Sequence, residues 1–181
     1  MRLGLRMVAG MILLAALGLG CSDAARPPTG PAAKPAAQQT SDAQGEETAV
    51  RDAFSAFQAA LKAKDAGKLW DLLDSDSRSD ADRAAKALQA AYAKASAEEK
   101  AEQEKALGLT AAELTALNGQ GFLKTTRFLG KHHEVPGSKI DKVVVQAGKA
   151  TVTYIEEDGD VEKLNAVRED GKWKLSVAMP E

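Results

Sequence analysis

The sequence predicts an α+β domain, a block of helices followed by a curved, four-stranded antiparallel sheet at the C-terminus. Three observations carry this prediction. Apolar residues recur at helical spacing in the first part of the domain, as in Val50, Phe54, Phe57 and Leu61. After Pro136-Gly137 that period gives way to strand patterns, with Val143, Val144 and Val145 in one run and Trp173, Leu175 and Val177 alternating in the last. Asp158-Gly159 and Asp170-Gly171 are the short turns that join antiparallel neighbours.

Two segments precede the domain. Residues 1–20 have the parts of an export signal: Arg2 and Arg6, an uncharged apolar run from Met7 to Leu19, then the small residue Gly20. The run is shorter than the roughly 20 apolar residues that cross a bilayer as a helix. Residues 21–45 read as a linker. Pro27, Pro28, Pro31 and Pro35 fall here among Ala, Gln, Thr and Ser, and no aromatic residue occurs before Phe54. Such a stretch buries too little apolar surface to offset its ordering entropy, and its prolines favour extended backbone. The domain is expected to fill residues 46–181.

Leu17-Gly18-Leu19-Gly20-Cys21 resembles the lipobox of bacterial lipoproteins, and Cys21 is the only cysteine in the chain. The resemblance implies cleavage before Cys21, its acylation with two or three chains, and membrane attachment through them. One acyl chain alone holds a protein only marginally. Gly18 stands where the family usually has an aliphatic residue. Ser22, rather than Asp, follows the cysteine, which under the family's sorting rule implies the periplasmic face of the outer membrane.

Losing Arg2 and Arg6 leaves 22 basic against 26 acidic residues, a net charge of −4. No like-charged block suggests a nucleic-acid partner. With one thiol, no internal disulfide can form, so the fold rests on packing.

The elements follow in order. The first helix is expected from about Glu46 to Lys64. Asp65 caps a second, Ala66 to Leu73, with the apolar cluster Leu69, Trp70, Leu72 and Leu73. The alternating acids from Asp74 to Asp82 do not make a calcium loop: Arg78, Ser79 and Ala85 stand where ligands and the turn glycine are needed. They read as a polar turn, with Ser77 as the cap of a third helix carrying Leu88 and Tyr92. Ser96-Ala97-Glu98-Glu99 and Thr110-Ala111-Ala112-Glu113 are capping boxes that open two further helices. Gly108 ends the first of these and Asn118-Gly119 the second. Phe122, Leu123, Thr126 and Leu129 suggest one more helix, ended by Gly130. Four strands then form a meander, with Ala150, Val152, Tyr154, Trp173, Leu175 and Val177 facing the helices.

Two stretches resemble the nuclear transport factor 2-like (SnoaL-like) superfamily: the segment from Phe54 through Leu69-Trp70-Asp71-Leu72-Leu73, and the closing hairpin Val167 to Leu175. The likeness implies a cone, a curved sheet wrapped around helices with a pocket at the wide end. Superfamily members include isomerases, dehydratases and non-enzymatic binders. The helices between about Ala95 and Leu129 are an addition to the usual pattern.

No catalytic residue carries over from that resemblance. The apparent inward face has no central Asp, Glu or His, and Glu156 reads as a solvated turn acid at a strand end. His132-His133-Glu134 reads as a surface loop, because adjacent side chains point apart and zinc needs three or four ligands. No metal or cofactor is expected. Trp70, Tyr154 and Trp173 are the candidate pocket-lining residues, each able to serve equally as core filler. The functional expectation is a lipid-anchored envelope protein whose domain binds a small apolar ligand or a partner protein without catalysis. An isomerase or hydratase, and a structural subunit of an envelope complex, are the alternatives.

Overall fold

The computed structural model describes residues 36–180, with side chains from Ala43 onward. The expected leader, Cys21 and the prolines of the expected linker lie outside the described residues. Seven helices precede four strands: α1 (Ala36–Ala63), α2 (Ala66–Leu72), α3 (Ser75–Lys94), α4 (Ala97–Leu107), α5 (Ala111–Thr115), α6 (Gly119–Phe122), α7 (Thr126–Lys131), β1 (Lys139–Gln146), β2 (Lys149–Ile155), β3 (Val161–Glu169) and β4 (Lys172–Ser176). The strands pair in the order β1-β2-β3-β4, every pair antiparallel, which is the expected meander.

α1 begins at Ala36 rather than near Glu46, so the last part of the expected linker is helical. Its residues explain this. Beyond Pro35 no further proline interrupts, and Ala, Gln and Glu are good helix formers. The predicted stripe is the buried one: Val50, Phe54, Phe57, Ala60 and Leu61 are all in the core. It packs on β1, β2 and β4. Ala150, Val152, Tyr154, Trp173, Leu175 and Val177 are buried opposite it, as their alternation required. A register shift between Ile140 and Lys142 marks a bulge in β1. A bulge bends its strand and increases local twist.

The caps of α2, α4 and α5 are those read from the sequence, both capping boxes being complete. α3 differs. Its cap is Asp74, whose carboxylate accepts from Ser77 N at 2.8 Å. Ser77 Oγ is engaged elsewhere, accepting from Val177 N at 2.8 Å. Asp74 also accepts from the Ser176 hydroxyl, and its backbone N–H donates to Leu175 O at 3.0 Å. The two buried polar residues Asp74 and Ser77 therefore tie the start of α3 to the end of the sheet.

The single helix expected around Phe122 is two. Asn118 does not stop α5, which already ends at Thr115; its side chain accepts from Gly121 N at 2.8 Å and opens α6. Buried Thr125 then separates α6 from α7, donating to Phe122 O at 2.7 Å and accepting from Phe128 N at 3.2 Å. Gly130 lies inside α7, which runs on to Lys131. Gly119 has a steric reason. A Cβ there would meet Trp70 at 2.8 Å and collide with Asp82.

Candidate functional site

A cavity of about 490 Å³ opens between the inner face of the sheet, α1 and the segment that follows α7. Phe57 of α1, Val135, and Leu164 of β3 supply its apolar wall. His132 and Tyr154 add hydrogen-bonding groups, and Glu134, Glu156, Glu162 and Lys131 supply the charged ones.

His132 reaches this position because it caps the C-terminus of α7, one helical turn beyond buried Phe128. Its ring centroid lies 4.8 Å from that of Phe128 and 6.4 Å from that of Phe57, the second contact edge-on. The segment is pinned by Gln58 of α1, whose Nε2 donates to Val135 O and Ser138 O, both at 2.9 Å. Burial removes water from the imidazolium and drives the His132 pKa from 6.5 to about 4; the Ala178 carbonyl opposes this and Lys131 adds to it. The ring is therefore neutral at pH 7. Its Nε2 is buried with no hydrogen-bond partner. Such an orphan costs about 1–3 kcal/mol relative to a satisfied one.

The expected surface loop is thus half right. His133 is exposed, its Nδ1 2.9 Å from Gly130 O and its Nε2 3.4 Å from Glu134. His132 turns inward. Adjacent side chains do point apart, but one of the two directions is the core. The clue available in the sequence was the spacing Phe128-x-x-x-His132, which continues the buried face of α7.

Tyr154 enters from β2, with its ring centroid 5.2 Å from that of Phe54. Burial, then the charges of Glu156 and Glu162, push its pKa up to about 12, so it remains a neutral donor. Glu156 follows on the same side of the chain. It is half-buried at the cavity wall, not a free turn acid. Carboxylate oxygens of Glu134, Glu156 and Asp158 all lie within 4.8 Å of one another. Loss of hydration, then a hydrogen bond to Glu134 and repulsion from Glu134, Glu162 and Asp158, raise the Glu156 pKa to about 7. Like charges at this spacing favour a shared proton over full ionisation.

Of the three candidate pocket residues, Tyr154 lines the cavity and the two tryptophans do not. Trp173 is buried, and its indole Nε1 donates to Glu46 of α1 at 2.8 Å. Trp70 is half-buried on α2 with the Arg78 guanidinium 5.7 Å from its ring centroid. Both fill the join between elements. Cys21 lies outside the described residues.

No helix among the described residues is long and apolar enough to cross a membrane. Comparison with protein-family models, curated proteins and solved structures gave no match.

Proposed function

We propose that this is a lipid-anchored cell-envelope protein whose α+β domain holds a small, largely apolar ligand without converting it. The anchor rests on the lipobox-like residues ending at Cys21. The binding role rests on one observation, a cavity of about 490 Å³ in which Phe57, Val135 and Leu164 and two neutral hydrogen-bonding groups, His132 and Tyr154, line one part, and Lys131, Glu134, Glu156 and Glu162 another. Ligand pockets of this kind combine an apolar lining with a few polar groups that fix orientation, in volumes of about 300–1,000 Å³. The ligand class is an apolar body bearing one hydroxyl or carbonyl, which would meet the neutral His132 and Tyr154 on the apolar part of the wall.

The test uses 2-naphthol, a neutral probe of that class, with fluorescence as readout. The full chain should bind it saturably, and Leu164→Trp, which fills the cavity from β3, should abolish binding while the far-UV circular dichroism is retained. Binding unaffected by Leu164→Trp would contradict this reading. The anchor is tested separately. Cys21→Ser should abolish incorporation of labelled palmitate, and a variant still labelled and fractionating like the parent would refute it.

One observation favours a second reading, an enzyme of isomerase or hydratase type. A carboxyl with a pKa of about 7, Glu156, stands beside Tyr154 at the cavity wall, and a general base works best with a pKa near the operating pH. Deuterium exchange into 2-tetralone in D₂O separates the two. An enzyme of this type accelerates exchange and loses the effect in Glu156→Gln, whereas a binder leaves the exchange rate unchanged.

A further inference from the structure

Charge is divided unevenly between the two faces of the sheet. On the inner side, Glu156 and Glu162 stand at the cavity, and Arg168 is paired with Glu46. The outer side is basic. The strand registers put Lys139 and Lys142 of β1, Lys149 of β2, Lys163 of β3, and Lys172 and Lys174 of β4 on that side. All but Lys174 are exposed, and Lys174 donates to Asp71 O at the sheet's margin. Two carboxylates oppose them: Asp141 at the β1 bulge, and Glu169, which accepts from Ser75 N at 3.0 Å. This concentration occurs in a chain whose net charge is negative.

The same face carries the exposed large apolar side chains of the described residues, Val144, Ile155 and Val161. Val144 lies in the middle of edge strand β1, borders a shallow groove of about 520 Å³ with Lys142 and Lys149, and is 38% exposed. Among the described residues no helix covers this side. The described helices that pack on the sheet, chiefly α1, lie against its inner face.

We infer that the outer sheet face docks on an anionic lipid surface, with the lysines over lipid phosphates and Val144 at the level of the headgroups. The residue types decide between this and an acidic protein. Protein interfaces gain most of their affinity from Trp, Tyr and Arg anchors. The outward positions of the four strands hold none of these. Lysine is a mobile point charge on a flexible stem, which suits a fluid array of phosphates that offers no fixed geometry. Each lysine near an anionic leaflet strengthens adsorption by about fivefold at moderate salt. The acids of the β2–β3 turn, Glu157, Asp158 and Asp160, stand at one end of the face. The docked domain therefore tilts, with the Ala147-Gly148 and Asp170-Gly171 turns nearer the lipid. The inference is independent of what the cavity holds and of whether Cys21 is acylated.

The test places an environment-sensitive nitrobenzoxadiazole label on Gln146→Cys, an exposed site on this face, in the full chain carrying Cys21→Ser. The same label on Glu98→Cys, on exposed α4, is the control. The Gln146 label should brighten on vesicles of phosphatidylcholine and phosphatidylglycerol in equal parts, and not on phosphatidylcholine alone. High salt should abolish the response. Lys142→Glu/Lys149→Glu/Lys172→Glu, none of which lines the cavity, should weaken it by about a hundredfold or more. Should that variant fail to fold, the milder Gln set at the same three positions must still shift the titration in the same direction. Equal brightening on neutral vesicles, equal brightening of the Glu98 label, or no response overturns the inference. Binding of soluble polyglutamate with no response to the anionic vesicles overturns it in favour of an acidic protein partner.

Discussion

The indole N–H of Trp173 donates to Glu46 across the interface between β4 and the first helix, at 2.8 Å. Glu46 also pairs with Arg168 of β3, so one carboxylate ties the sheet's last hairpin to α1. Trp173→Ala removes a buried ring and leaves Glu46 with one partner fewer. It should cost about 3–5 kcal/mol in chemical denaturation. Trp173→Phe keeps most of the bulk and loses only the hydrogen bond, so about 1–3 kcal/mol is expected. Exposed Lys172→Ala should stay within about 0.5 kcal/mol. An unchanged midpoint for Trp173→Ala would place the ring outside the core. Phe54 pairs with Tyr154, so energetic coupling is expected in that pair and not between Phe54 and Trp173.

The second link between the two halves runs through Ser77. Its hydroxyl oxygen is the acceptor for buried Val177 N–H at 2.8 Å, just beyond β4. Ser77→Ala strands that donor and should cost about 1–3 kcal/mol. Exposed Ser79→Ala, two residues along the same helix, should be near neutral. Slowed amide exchange at Val177 in the parent, lost in Ser77→Ala, is the specific signature. Equal protection in both would mean that the bond carries no stability.

Much of this architecture was legible because local and tertiary signals agree. The Val50 to Leu61 stripe, the Ser96 and Thr110 capping boxes, and the strands from Lys139 to Ser176 each form where their pattern puts them. What was not legible depended on partners distant in sequence. Ser77 looked like a cap, but a backbone N–H 100 residues away takes its oxygen, and Asp74 caps instead. His132 and Glu156 looked solvated because each sits at the end of an element. Only the approach of α1, α7 and the β2–β3 turn converts those ends into a cavity wall. The site was therefore the least readable part, and Tyr154 was its one member identified in advance.

The site should leave a pH signature with two opposing limbs. Folding lowers the His132 pKa from 6.5 to about 4, so its contribution to stability is fully present above 6.5 and is lost as pH falls towards 4. The full loss is about 3 kcal/mol. Folding raises the Glu156 pKa from 4.5 to about 7, so its contribution is present below 4.5 and is lost as pH rises through 7. His132→Leu should flatten the acid limb of urea midpoint against pH, and Glu156→Gln the neutral limb. Titration of the His132 Cε1 proton by NMR should give an inflection near 4. An inflection near 6.5 at this ring would show that His132 is solvated.

The proposed binding site is the space between His132, Tyr154 and Leu164. The most direct measurement is the map of NMR shift changes in the full chain on titration with 2-naphthol. Saturable changes are expected at the His132 ring, the Tyr154 ring and the Leu164 and Val135 methyl groups, all with one dissociation constant. Changes centred instead on Leu88, Phe122 and Met179, which line a separate groove between α3 and the C-terminal segment, or no saturable change at all, would contradict it.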